Sequence, residues 1–207
     1  MKTLDDTCQQ ACWLSDDKSQ TRVYIAEITD ISESELASFI AQLPLWRKEK
    51  TLAIKHLQGR KESAVSFVLL EKALHEHFSL TEEIAFEYNE HGKPSLKNHP
   101  EIHFNLSHCR SVVACAISEN PVGIDVEMLG RYKESVARHV LSDEEYSQVV
   151  SSENPDIAFT ILWTKKEALL KLIGTGVSGD MKDVLALNAD KKITTTICDG
   201  YVYSVAE

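Results

Sequence analysis

The 207-residue chain has no apolar run approaching the ~20 residues that a membrane-spanning helix needs. Its first residues, MKTLDDTCQQACW, lack a basic stretch followed by an apolar one. That argues against a secretory leader and for a cytoplasmic protein. Five cysteines, at 8, 12, 109, 115 and 198, form no paired CxxC set. Reduced thiols are therefore expected, and neither a disulfide framework nor a zinc site. Basic residues are in deficit, 22 Lys+Arg against 32 Asp+Glu, for a net charge of -10. This excludes the broad basic footprint of a nucleic-acid binder, but not a local basic pocket for a phosphorylated small molecule. Repeats, low-complexity segments and long linkers are missing. So are GxxxxGK[ST], GxGxxG and GxSxG, which speaks against the common ATPase, dinucleotide-binding and serine-hydrolase classes.

What is present is ordinary globular material, 43% apolar and 26% charged, enough for one large domain or two small ones. A strand is expected at 23–28. A capping box of Ser32 and Glu35 opens a helix. Pro44 separates it from a helical region running from Trp46 to about Phe78, with a break near Gln58 and Gly59. Alternation marks strands at 83–88, 102–106, 112–117 and 122–126. Ser142 caps a short helix; Asn154 and Pro155 start another that runs to Ile173 and stops at Gly174. Hairpin-like strands close the chain. Helix followed by strands occurs twice, which predicts an α+β protein of two halves, 1–119 and 120–207, with the acids described next in the second.

In VGIDVE, strand alternation turns Ile124 and Val126 to one face and Asp125 and Glu127 to the other. Neighbouring acids fit a solvated sheet face, or a bound cation. On the helix from Pro155, Thr160, Thr164, Glu167 and Lys171 share one face, with Ala158, Leu162, Leu169, Leu172 and Ile173 opposite. Glu167 and Lys171 at i, i+4 fit a surface ion pair, or a third metal ligand beside an anion-binding cation. Three carboxylates would suit Mg²⁺. Ser107 and His108 end the strand FNLSHC and can donate hydrogen bonds to a phosphate, though a polar strand end explains them equally. Lys93 sits on the turn HGKP, and Arg47 and Lys50 belong to the small basic cluster WRKEK; each also fits an ordinary solvated lysine or helix face. Glu145 reads as the capping-box partner of Ser142. His75 and His77, two apart on a helix, share no face and are assigned no metal.

Taken in order, GKP, FNLSHC, GIDVE and WTKKEALLK…GTG resemble the Sfp-type 4'-phosphopantetheinyl transferases, over roughly residues 47–176. The resemblance implies two similar halves related by a pseudo-two-fold axis, with the active site in the cleft between them. It implies transfer of phosphopantetheine from coenzyme A to a serine of a carrier protein, leaving adenosine 3',5'-bisphosphate. Asp125, Glu127 and Glu167 look like the family's Mg²⁺-binding acids and Lys171 like its helix lysine near the pyrophosphate. Lys93, Ser107 and His108 look like coenzyme A contacts. Arg47, Lys50 and Ser63 are similar in placement to residues near its 3'-phosphate. Departures are Cys109 in place of serine, Leu129 in place of a hydroxyl residue, and Glu71 in place of arginine.

The expected mechanism is positioning and charge stabilisation around a pyrophosphate, with Glu167 taking the proton of the carrier serine directly or through a water. The carrier, acidic as such proteins generally are, would dock on residues 129–150. A monomer is expected because one chain supplies both sides of the cleft. Rival readings are an Mg²⁺-dependent nucleotide pyrophosphohydrolase and a non-catalytic coenzyme A- or carrier-binding regulator.

Overall fold

The computed structural model describes residues 8–10, 21–176 and 181–207. Cys12 therefore lies outside the described residues. The fold is α+β, as expected. A four-stranded antiparallel sheet has the order β1-β2-β6-β5, from β1 (Cys8–Gln10), β2 (Arg22–Glu27), β6 (Val112–Ser118) and β5 (His103–His108). A three-stranded antiparallel sheet has the order β7-β9-β8, from β7 (Gly123–Met128), β9 (Tyr201–Ala206) and β8 (Ile193–Ile197). A small hairpin pairs β3 (Phe86–Tyr88) with β4 (Pro94–Leu96).

Helices α1 (Glu33–Gln42), α2 (Leu45–Ala53) and α3 (Leu57–Phe78) cover one face of the larger sheet. That core gathers Phe67, Leu70 and Leu74 of α3 with Tyr24, Phe104, Cys115 and Ile117. The opposite face, through Ile25, Val112, Ala114 and Ala116, meets Ile124, Val126, Tyr203 and Val205 of the smaller sheet. Four further helices follow β7: α4 (Glu134–Val140), α5 (Asp143–Ser151), α6 (Pro155–Ile173) and the one-turn α7 (Val184–Leu187). Ala168 and Leu169 of α6 pack with Val140, Leu141 and Ala206 in a third cluster.

Local signals in the sequence hold. Ser32 and Glu35 bond reciprocally at 3.2 and 2.8 Å, and Ser142 and Glu145 at 3.2 and 2.9 Å. Asn154 caps α6, Pro155 opens it, and Gly174 ends it in the left-handed conformation at φ 80°. The break expected near Gln58 and Gly59 lies instead at residues 54–56. Arg60 donates to Ile54 O at 2.7 Å and to Leu52 O at 3.3 Å, so it satisfies carbonyls at the end of α2. Gly59 belongs to the first turn of α3, where a Cβ would come within 2.9 Å of Ile54 Cγ2. The strand expected at 83–88 is only three residues long, matching the three its partner β4 offers. The short α4 and α7 have no side-chain cap hydrogen bond and were not expected.

Candidate active site

Alternation along β7 turns Ile124 and Val126 into the core between the sheets and leaves Asp125 and Glu127 facing α6. Asp125 is only 5% exposed, so the solvated-face explanation fails for it. On α6 the buried positions include Thr160, Thr164, Ala168 and Leu169, while Ile173 is exposed. The threonine-bearing face thus packs on the sheet. Thr164 Oγ1 meets Ser204 Oγ at 2.8 Å, and Ser204 meets Thr195 at the same distance, tying α6 to β9 and β8. This brings Glu167 and Lys171 over Asp125 and Glu127.

Lys171 does not pair with Glu167, as its i, i+4 spacing suggested. Its Nζ donates to Asp125 Oδ1 at 2.6 Å and to Ser107 Oγ at 2.9 Å. Ser107 Oγ in turn donates to Asp125 Oδ1 at 2.9 Å and lies 3.3 Å from the amide of Val126. Two residues earlier, Asn105 Oδ1 accepts the amide of Ile124 at 2.8 Å. Side chains of β5 therefore stitch the edge of the larger sheet to β7, and Ser107 is buried at the seam.

The acids feel one another. Burial, and after it the charge of Asp125, pushes the Glu167 carboxyl above its usual range, against the opposing pull of Lys171. Burial likewise raises Glu127; Arg131 works against the rise and Asp125 adds to it. Arg131 Nη1 donates to Glu127 at 2.8 Å. Among the described residues, no three His, Cys, Asp or Glu side chains are arranged to hold a metal ion by themselves. The chemistry of the donor set nevertheless fits a divalent cation. Asp125 Oδ2 is buried with no hydrogen-bond partner among the described residues, and it belongs to a group of three mutually repelling carboxylates.

His108 follows Ser107 at the strand end and is 51% exposed, with Nδ1 3.4 Å from Glu62. Gln58 Nε2 donates to the other oxygen of Glu62 at 3.0 Å. Sequence reasoning missed Glu62, whose i, i+4 spacing from Gln58 was the only local sign of a role. It also missed Arg131, four residues after Glu127.

Arg47 and Ser63 come together: Arg47 Nη2 donates to Ser63 O at 2.9 Å, and Ser63 Oγ meets Thr51 Oγ1 at 2.9 Å. Arg47 packs on Phe67, and its Nε is buried without a hydrogen-bond partner among the described residues. Lys50 lies over the ring of Tyr88 at 5.6 Å. Lys93 is elsewhere, its Nζ directed at carbonyls of residues 171 and 172 at the C-terminus of α6. Glu145 keeps its capping role and adds a salt bridge at 2.8 Å to Lys166, a fully buried lysine that also donates to Met181 O and Lys182 O.

Beside Glu127 opens a cavity of about 310 Å³, floored by Phe159 and Trp163 and rimmed by Val136, Arg131 and Lys133. No helix of the described residues is long and apolar enough to cross a membrane.

Two family models match the chain. Residues 30–120 match "4'-phosphopantetheinyl transferase, N-terminal", and residues 121–205 match "4'-phosphopantetheinyl transferase superfamily". The chain is 31% identical over 186 residues to the 4'-phosphopantetheinyl transferase psf-1 of Bacillus pumilus, covering 86% of this chain and 80% of that protein. To the 4'-phosphopantetheinyl transferase Sfp of Bacillus subtilis it is 26% identical over 175 residues, 83% and 78% of the two chains. To the 4'-phosphopantetheinyl transferase gsp of Aneurinibacillus migulanus it is 36% identical over 136 residues, 63% and 56%.

Proposed function

This chain belongs to the 4'-phosphopantetheinyl transferase superfamily, and from that premise we propose that it moves the 4'-phosphopantetheine of coenzyme A onto a serine of an acyl or peptidyl carrier protein, at Asp125, Glu127, Glu167 and Lys171. One observation carries the choice of site: Asp125, Lys171 and Ser107 close on one another with Glu127 and Glu167 beside them, and Asp125 Oδ2 is left buried and unpartnered.

Asp125, Glu127 and Glu167 would hold Mg²⁺. Bound there, the ion would act as a Lewis acid and neutralise charge on the phosphoryl groups. Lys171 supplies positive charge to the leaving phosphate. His108, whose Nδ1 lies 3.4 Å from Glu62, donates a hydrogen bond to the substrate phosphates. Glu167, directly or through a water, takes the hydroxyl proton as the carrier serine attacks the pantetheine-side phosphorus. The bond from that phosphorus to the bridging oxygen breaks, and adenosine 3',5'-bisphosphate leaves with the electron pair.

Arg47, Lys50 and Ser63 are assigned to the 3'-phosphate. The orphan Nε of Arg47 supports this, since a buried donor without a partner suits an anion. The two halves, 1–119 and 120–207, meet in a cleft and are similar. In support, Ser107 comes from the first half and Asp125 and Lys171 from the second. A monomer suffices for this geometry. The carrier docks along residues 129–150, where Arg131, Lys133 and the exposed Val136 offer basic and apolar surface beside the cavity at Glu127.

The test is to incubate the protein with apo carrier, coenzyme A and Mg²⁺ and to weigh the carrier by mass spectrometry. A gain of one phosphopantetheine, lost on adding a chelator, is expected. Free phosphopantetheine with unmodified carrier would mean pyrophosphate hydrolysis. Neither product would mean a non-catalytic binder.

A further inference from the structure

The turn between β3 and β4 reaches across the molecule to the end of α6. Lys93 Nζ donates to Lys171 O at 2.6 Å and Leu172 O at 3.1 Å, and lies 3.5 Å from Val122 O. Asn89 Nδ2 donates to Gly174 O at 3.0 Å, while its Oδ1 accepts the amides of His91 and Lys93 at 3.0 and 2.8 Å. Gly92, at φ 82°, permits this turn. The last carbonyls of a helix have no partner within it. Here a lysine and an asparagine from 78 to 85 positions away supply them. A cation at a helix C-terminus also suits the dipole.

The place matters because β7 and α6 touch backbone to backbone there. A Cβ on Gly123 would fall 2.1 Å from Ala168 O and 2.4 Å from Leu172 N. Lys93 binds both sides of that contact, Val122 just before β7 and Lys171 and Leu172 near the end of α6. Those two elements carry all three acids and Lys171. The same residue, Lys171, is held by its carbonyl from Lys93 and by its ammonium from Asp125. An ammonium has three N–H donors, and three carbonyls surround this one.

We propose that Lys93, with Asn89, is a positioning residue for the transfer reaction: it clips the end of α6 to the start of β7, which aims Glu167 and Lys171 at Asp125, and it does not contact the phosphates of coenzyme A. The proposal rests on the transferase reading above and parts from the resemblance, which puts Lys93 among the coenzyme A contacts.

The experiment compares wild type, Lys93→Met and Asn89→Ala in the full chain. It measures kcat and KM for coenzyme A, and amide hydrogen exchange at residues 172–174. Misalignment of catalytic groups lowers turnover, so kcat should fall roughly tenfold or more in Lys93→Met while KM changes little. Exchange should quicken at 172–174 while β2 and β6 stay protected. Asn89→Ala should shift kcat and exchange in the same direction by less, and it serves alone if Lys93→Met does not fold. A raised KM with kcat and exchange unchanged would make Lys93 a substrate contact and overturn the proposal. Faster exchange with kcat unchanged would reduce the clip to a stability element and overturn it too. Wild type that fails to modify any carrier would instead end the transferase reading, an outcome distinct from both.

Discussion

Lys171 and Asp125 meet at 2.6 Å across the contact of α6 with β7, and Ser107 bridges them from β5. Three elements thus share one hydrogen-bonded junction, with one oxygen of Asp125 occupied and the other left open. Such a pair ties the three elements together, and close by Arg131 offsets the charge of Glu127.

Asp125→Asn keeps the shape of the junction and removes its charge. Carrier modification should fall at least about a hundredfold, the usual scale for losing a preorganised electrostatic group. Circular dichroism should be unchanged. Full activity at low Mg²⁺ would contradict the metal assignment.

Lys50→Ala, and more strongly the double variant with Arg47→Ala, should raise KM for coenzyme A roughly tenfold, the worth of one charge-assisted hydrogen bond. Dephospho-coenzyme A should be affected far less. Arg47 also packs on Phe67 and holds Ser63 O, so the single Lys50 variant isolates the charge from the packing. Equal loss for both substrates would remove the 3'-phosphate role.

Lys166→Met strands Glu145, which is mostly buried, without its counter-ion, and frees the carbonyls of Met181 and Lys182. Breaking a buried pair costs about 3–5 kcal/mol. Urea unfolding should read that loss, and adding Glu145→Gln should recover part of it. No recovery would show that the carbonyl contacts, not the ion pair, dominate.

Glu71, in α3, has its carboxyl pushed up to about 7, by burial first and by Glu83 second. An acid whose folded value lies above its unfolded one of about 4.5 is easiest to fold while protonated. Its contribution is full below the unfolded value and is lost as pH rises through 7. Glu71→Gln should therefore raise the melting temperature at pH 8 and leave it nearly unchanged at pH 4.5. Equal gains at both would place the effect in packing.

Gly123→Ala forces a methyl group into the backbone of α6. Ordinary overpacking costs about 1–3 kcal/mol, and backbone atoms yield less than side chains. The variant should lose at least about 3 kcal/mol on the same scale and lose transfer with it. A stable, active protein would mean that α6 and β7 separate easily.

Much of this was legible in the chain because it is local. Both capping boxes, the Asn154–Pro155 start, the stop at Gly174 and the alternation in VGIDVE involve residues at most four apart, and all stand as expected. The expectation that Asp125, Glu127 and Glu167 form one metal site rests on motif order, not on physics. Their partners were another matter. Glu167 and Lys171 have the spacing of a helix pair, yet Lys171 turns to an acid 46 residues away. The helix break was misplaced because a side chain, Arg60, and not the glycine beside it, closes the end of α2.

By itself the sequence determined the capped ends of three helices, the alternation of β7 and the resemblance to a family, since those follow from capping, side-chain periodicity and the order of short motifs. Only the tertiary structure decided which groups neutralise one another: Lys171 with Asp125, Lys166 with Glu145, Lys93 with the end of α6. Each lysine is surrounded by other candidate partners along its own segment. The choice is made by burial, which removes water as a competitor and leaves every ammonium to whichever oxygen the packing of distant elements has brought within reach.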